Sequence, residues 1–427
     1  MAEGVAPTTD LILYNTMMKR KELFVPRNGK VVKLFTCGPS VYRKQHLGNY
    51  RTFLFEDILQ KYLEYKGYRV ERCINYTDIE DKTIEEAKSQ GKTLSELTQP
   101  VIDTFEQEAK RLRIDLPADI PRATTSVDQA VTLIETLLEK GLAYWHDGNV
   151  YYDVLKYEPF GQVFGLDMSR WPDHKVRFSR DTYEGLRWNL GDFILWHGFQ
   201  DGDSWFWKTS LGKGRPAWNV QDPAMMTKVL GYDLDIHTGG IDNVYRHHDY
   251  NRAVVEGVSG MELAHYWMHG EHLIVNGRKM SKSTGNTLYP GQMIEEGYTP
   301  DHLRFHLIYG YYRDRMNITD SRLEETKEIL RRFRADLHFV LSGEGAGPSE
   351  RDTPDNAERL IRDLRLVFEK ELDNDLHVKA AFDGVSRIIR GLARVRRTYG
   401  LQAKQVQEIK SILTRQDHVF GVLFPWE

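Results

Sequence analysis

Residues 31–37 (VVKLFTC) form a short apolar run that passes through a Gly-Pro turn straight into a helical pattern beginning near Asn49. A buried strand feeding a helix through a glycine-bearing loop constrains the fold more than any other feature, because a second strand follows at once. Residues 69–76 (RVERCINY) alternate in polarity, and residues 82–109 and 126–140 carry helical apolar spacing. Strand, helix, strand in this order predicts an α/β domain with a parallel sheet. Between about residues 114 and 207 the pattern breaks into short strand-like pieces such as GNVYYDV, which read as an insertion. Strand and loop alternation resumes through YDLDIHTGG and EHLIVNG to Gly285. From about Asp320 the chain is rich in Arg, Glu and Leu at helical spacing, broken by the polar linker GEGAGPSERDTP at residues 343–354. The expected layout is an N-terminal extension (1–30), an α/β domain (31–319) carrying the insertion (114–207), and a helical bundle (320–427).

Hydrophobic residues make up 41% of the 427-residue chain and charged residues 28%, which excludes disordered and low-complexity classes. A net charge of −4 excludes a surface that coats polyanions as a whole, though not a local basic site. Cys37 and Cys73 are the only cysteines, too few for a disulfide framework and consistent with a reducing compartment. No apolar run approaches the roughly 18 residues of a membrane span, and MAEGVAPTTD lacks the basic and apolar regions of a signal peptide. A cytoplasmic address and no membrane partner are therefore expected. Oligomeric state is not set by the sequence; a monomer is the working expectation.

Two constellations carry chemistry. His46-Leu47-Gly48-Asn49 stands where the first strand exits into a helix. Phosphate recognition needs backbone N–H groups at a helix N-terminus, a glycine that lets the anion approach, and side-chain donors, which His46 and Asn49 supply. Alone, such a histidine more often caps or packs a helix. Some 230 residues on, Lys279-Met280-Ser281-Lys282-Ser283 sets two lysines among small hydroxyl residues, a cationic clamp suited to the charge of departing pyrophosphate. Its bland reading, a solvated basic turn, weakens because both segments occur in one chain, with the cluster His237-Thr238-Gly239-Gly240-Ile241-Asp242 between them.

The HLGN and KMSKS pair resembles the two signatures of class I aminoacyl-tRNA synthetases. FTCGPSVY (35–42), NYTDIEDK (75–82), GRPAW (214–218), DIHTGGID (235–242), YRHHD (245–249), YWMHG (266–270) and KMSKSTGN (279–286) narrow the resemblance to cysteinyl-tRNA synthetase over residues 10–425. That resemblance implies a Rossmann-type catalytic domain followed by a helical bundle, and activation of an amino acid by ATP with Mg²⁺. His46, Asn49, Lys279 and Lys282 are then the catalytic residues. Gly48, Gly239, Gly240, Asp242, Met280 and Ser281 join them around ATP. Cys37, Trp218, Asp222, His237, His247 and Asn251 fall at amino-acid-pocket positions. Cys73 and the TDIED run read as structural.

The departures are informative. Cysteinyl enzymes hold zinc with two cysteines, a histidine of the HH pair and an acidic or thiol residue four positions later. Here those positions carry Cys37, Asp222, His247 and Asn251. Asparagine is a poor ligand, so zinc is expected to be absent, with at most weak metal binding by Cys37, Asp222 and His247. Without the ion, selection of cysteine loses its chemical basis, since size alone discriminates by only about 1–3 kcal/mol. Asp222 then either faces a donor on the substrate or pairs locally with His247 or His248.

The helical segment from Asp320 carries 19 basic and 19 acidic side chains, and the further anticodon-gripping domain usual in the resembled family is expected to be missing. By analogy with the mycothiol-type cysteine ligase, the expected acceptor is a small-molecule or peptide amine rather than tRNA. A reduced enzyme that still charges tRNA is the alternative, and a catalytically silent paralogue acting as a binding protein is a third. Arg387, Arg390, Arg394 and Arg397, on one helix face, could grip phosphates but read first as a solvated stripe.

Overall fold

The computed structural model describes residues 10–166, 192–280, 285–342 and 355–426. Residues 31–36 and 69–74 become neighbouring parallel strands, as their apolar patterning predicts. They belong to a four-stranded sheet that also contains the two strands built from DIHTGG and YWMHG. In chain order the strands are β1 (Ile12–Asn15), β2 (Arg20–Leu23), β3 (Val31–Thr36), β4 (Arg69–Ile74), β5 (Ala143–His146), β6 (Asn149–Tyr152) and β7 (Phe193–Gly198). They continue as β8 (Trp207–Thr209), β9 (Gly212–Pro216), β10 (Leu234–Gly240), β11 (Ala264–Gly270), β12 (Leu273–Val275), β13 (Arg278–Lys279) and β14 (Met316–Ile318).

The parallel sheet has the order β11-β10-β3-β4, with Thr36 of β3 opposite Thr238 of β10 and Ile74 of β4. Chain order therefore reverses between β3 and β10. In open α/β sheets a ligand crevice opens at such a reversal, outside the carboxyl ends of the strands. Helix α1 (Leu47–Tyr65) leaves that end of β3 and lays a nearly continuous buried face over the sheet.

The segment at 82–109, read as one helical stretch, is two helices, α2 (Asp81–Gln90) and α3 (Leu94–Arg111). Gly91 ends the first in a left-handed conformation, and Thr93 with Glu96 forms a capping box that starts the second. Helix α4 (Val127–Glu139) follows. The insertion forms an antiparallel sheet in the order β5-β6-β7-β9-β8, which extends to Pro216 rather than ending at Trp207. Trp207 lies inside the β8–β9 hairpin, so a boundary there would cut paired strands apart.

Helices α5 (Trp218–Leu230), α6 (Asp249–Ser259), α7 (Pro290–Glu295) and α8 (Pro300–Ile308) complete the α/β region. The bundle consists of α9 (Asp320–Leu341), α10 (Asp355–Asp373), α11 (Val378–Tyr399) and α12 (Ala403–Phe420). One apolar core runs from Leu34 and Leu59 through Leu303 to Phe382 and Leu413, so no change of core marks residue 320. Fully buried Arg304 ties these parts together, donating to Leu112 O, Arg113 O, Val419 O, Phe420 O and Asp57 Oδ2. Residues 10–30, expected as an extension, contain the β1–β2 hairpin, whose Tyr14 N donates to Asp375 Oδ1 while Thr16 N donates to Trp267 O. The linker at 343–354 lies outside the described residues, as do Ser281, Lys282, Ser283 and Thr284.

Candidate active site

A cleft of about 530 Å³ opens at the β3–β10 reversal. His46, Gly48, Asn49, Gly240, Asp242, Lys279 and Met280 line one part of it, and Cys37, Trp218, Asp222 and His247 another. The two signatures thus share one wall: a Cβ built on Gly48 would stand 2.9 Å from both His46 Cε1 and Met280 Cε. Leu47 N donates to Leu288 O, fixing the helix start against the segment beyond the lysine loop. Gly239 lies off the cleft against His248, and His237 and Asn251 are buried behind its wall.

His46 is the N-cap of α1. Its Nδ1 accepts from Asn49 N at 3.3 Å, and Asn49 Oδ1 accepts from His46 N at 3.1 Å. With Nδ1 occupied as an acceptor, the imidazole proton belongs on Nε2. Burial lowers the His46 pKa below its ordinary value, so at neutral pH the ring is an uncharged donor. Capping and phosphate recognition are therefore compatible, each using a different nitrogen.

At the other part, Asp222 is fully engaged. Its Oδ1 accepts from Asn75 Nδ2 at 2.9 Å, and its Oδ2 lies 2.8 Å from His247 Nε2 and 3.4 Å from Cys37 Sγ. Local pairing of this carboxylate is what the geometry favours over an unmet one facing a substrate donor. Trp218 stacks on His247 at 4.0 Å, holding that ring flat against the cleft. Burial first, then the neighbouring Asp222 charge, pushes the Cys37 thiol well up. Gly38 is required beside it: a Cβ there would fall 1.7 Å from Asn75 O, and Gly38 N donates to Asn75 Oδ1.

His237 packs against Phe35, Trp267 and His248 with ring centroids 4.4–4.9 Å apart, and neither ring nitrogen has a partner. Burial depresses the pKa values of His237, His248 and His269, the last to about 3. Sequence reasoning assigned no site role to His248, His269 or Asn75. The adjacent HH pair was the available signal for the first, and NYTDIEDK for the last; Thr77 and Glu80 of that segment also line the cleft.

The donor set bears on zinc. Asn251 sits where the resembled family has a ligand, yet Cys37 Sγ and one ring nitrogen from each of His247 and His248 lie within 4.8 Å of one another. A thiol and two imidazoles, with Asp222 adjoining, fit a zinc-like ion. The expectation of an absent ion weighed Cys37, Asp222, His247 and Asn251 and left out the second imidazole, which the π-helical turn Val244–His248 delivers.

Residues 23–328 match the family model described as tRNA synthetases class I (C) catalytic domain. The chain belongs to the class I tRNA synthetase family. Among relatives of this synthetase, a cysteine–tRNA ligase of Chlamydia muridarum is 34% identical over 97% of this chain and 88% of its own length. One from Chlamydia pneumoniae is 36% identical over 97% and 86%. In fold the synthetase is similar to Mycobacterium tuberculosis methionyl-tRNA synthetase in complex with methionyl-adenylate, with a TM-score of 0.64 at 14% identity over 91% of this chain and 89% of that one. A LeuRS–tRNA–LeuAMS complex from Agrobacterium radiobacter gives a TM-score of 0.67 at 13% identity, covering 94% and 85%. The protein is a class I aminoacyl-tRNA synthetase-like, ATP-dependent ligase of mixed α/β architecture. Among the described residues no helix is long and apolar enough to cross a membrane.

Proposed function

We propose that this synthetase uses ATP to convert an amino acid to its aminoacyl-adenylate and passes the aminoacyl group to tRNA, with cysteine the expected amino acid. The observation that carries the reading is the single cleft that brings His46, Asn49 and Lys279 to one part and Cys37, Trp218, Asp222 and His247 to another. The amino-acid carboxylate attacks the α-phosphorus of ATP and pyrophosphate departs. His46 donates from Nε2 to a phosphate oxygen, Asn49 holds the imidazole in that tautomer, and Lys279 offsets the charge that builds on the leaving group. Lys282 shares this role by position in the sequence, and Mg²⁺ accompanies the nucleotide. Gly240 and Asp242 stand beside the adenosine, with Gly239 behind them. Cys37, His247 and His248 would hold zinc, with Asp222 beside them; when bound, zinc supplies affinity for a substrate thiolate.

Cysteine is favoured because Asp222 is satisfied by Asn75, His247 and Cys37 and offers little to a substrate donor. tRNA is favoured because the matched relatives are cysteine–tRNA ligases, whereas the comparisons lend a small amine acceptor no support. The exposed face of α11 that carries Arg387, Arg390, Arg394 and Arg397 agrees with a polyanionic partner.

Amino-acid-dependent ATP–pyrophosphate exchange across a panel, followed by charging of total tRNA, tests both steps. Exchange with cysteine and salt-sensitive charging is the expected result. Exchange without charging returns the acceptor to a small amine, and no exchange with any amino acid indicates a silent paralogue.

A further inference from the structure

We propose that Asp375, in the helical bundle, is a positioning residue for the ATP part of the cleft: through Tyr311, Tyr312, Arg313 and Arg51 it fixes the wall segment 270–273. The inference rests on the proposed use of that part for ATP.

Asp375 stands in the turn between α10 and α11, where the bundle meets the α/β region, and the backbone there is strained. Asp375 and Leu376 both adopt left-handed conformations, with φ of 65° and 56°, and both are at most 1% exposed. Two consecutive residues of this kind persist only where their surroundings over-determine them, and leucine is ill suited to the conformation. The Asp375 carboxylate supplies those surroundings. Its Oδ1 accepts from Tyr14 N and from the Tyr312 hydroxyl, each at 2.8 Å. Its Oδ2 accepts from the Tyr311 hydroxyl and, at 3.0 Å, from Arg313 Nε. The Asp375 N donates to Ile12 O at 2.9 Å. A fully buried carboxylate is costly without such donors, so its placement and theirs are fixed together.

From the tyrosines the contacts lead to the cleft. Tyr312 stacks on Phe55 of α1 with ring centroids 4.2 Å apart, and its O accepts from Glu271 N at 2.8 Å. Arg51, also on α1, donates from Nη1 to Glu271 O and His272 O and from Nη2 to Tyr311 O and Asp314 O, at 2.6–3.1 Å. Its guanidinium thus clamps the cleft wall to the stretch that Asp375 holds. Gly270, Glu271, His272 and Leu273 line the cleft, and Gly270 stands opposite Gly240 in the β10–β11 register. A Cβ on either glycine would lie 3.8–3.9 Å from Thr52 Oγ1 of α1, which places this wall in the ATP part. Cys37 and Asp222 are held by contacts of their own and take no support from it.

Equilibrium dialysis of ATP against the full chain, ATP–pyrophosphate exchange kinetics and amide hydrogen exchange test the assignment in Asp375→Asn. Asparagine tolerates the left-handed backbone, so the turn itself survives. The expected result is ATP affinity weakened about tenfold, a KM for cysteine within about twofold of wild type, and a Glu271 amide that exchanges about tenfold faster. Tyr312→Phe keeps the ring on Phe55 and removes one donor; it should weaken ATP binding about threefold and covers the case of a poorly folding Asp375 variant. Asn374→Ala, an exposed neighbour in the same turn, should leave all three readouts unchanged. Wild-type ATP affinity in both the Asp375 and Tyr312 variants, or equal losses toward ATP and cysteine, would overturn the proposal. An unaltered chain that binds no ATP would sink the reading of the cleft instead; the Glu271 amide then decides whether Asp375 positions that wall, and unchanged exchange in Asp375→Asn refutes it.

Discussion

Replacing His46 by Asn separates its two roles. The imidazole caps α1 through Nδ1, at 3.3 Å from Asn49 N, and leaves Nε2 toward the cleft. Asparagine is among the best N-cap residues, so His46→Asn should keep α1 intact and change stability by no more than about 0.5 kcal/mol. Its shorter side chain cannot also reach the phosphates. Loss of one preorganised donor to developing charge costs about 2.7–4 kcal/mol of transition-state stabilisation, which predicts ATP–pyrophosphate exchange slower by roughly 10²–10³-fold. His46→Ala should lose the same rate and, in addition, about 1 kcal/mol of stability with the cap. Exchange kinetics at saturating amino acid and urea unfolding of the same preparations supply the two readouts. Exchange by His46→Asn within about fivefold of wild type, under about 1 kcal/mol, would show that the imidazole only caps the helix and would refute the phosphate role.

Three other perturbations follow from the packing. Arg304→Met leaves Asp57 with Lys61 as its remaining cationic partner and removes donors from four backbone carbonyls, so urea unfolding should show a loss of about 3–5 kcal/mol. Gly38→Ala should cost about 3 kcal/mol or more and abolish exchange, because its Cβ would collide with Asn75 O and displace the partner of Asp222. Stability should fall as pH drops from 7.5 to 5.5: burial holds His306 at about 4 and lowers His197, His237, His248 and His269, so unfolding takes up protons below the ordinary histidine value near 6.5, and these five outweigh Glu56 and Asp249, which burial raises to about 8 and about 7 and which take up protons in the folded state over the same range. Each such histidine contributes on the order of 1 kcal/mol of this loss at pH 5.5, and an unfolding midpoint that rises on acidification would contradict the assignment.

Much of the architecture was legible in residue patterning. The strand at 31–36, the helix that follows it and the strand at 69–74 appear as read, because apolar periodicity reports which face each element buries. His46 and Asn49 at a strand-to-helix junction marked a helix start, and the two residues form the capping box of that helix. The hairpin at 12–23 was not legible, since its strands are four residues each and one of them is mostly exposed. The edge of the insertion was misplaced because Trp207 and Gly212 look like a boundary until their strands pair.

The sequence by itself determined the element types, the parallel sheet and the order of the two signatures, all of which depend on local backbone preference and burial period. Only the tertiary structure decided that Asp222 is met by Asn75, His247 and Cys37, residues 147, 25 and 185 positions away. It also decided that His248 rather than Asn251 turns toward Cys37. Such choices depend on the direction in which each side chain leaves its element, and one π-helical turn at Val244–His248 is enough to exchange one neighbour for the next.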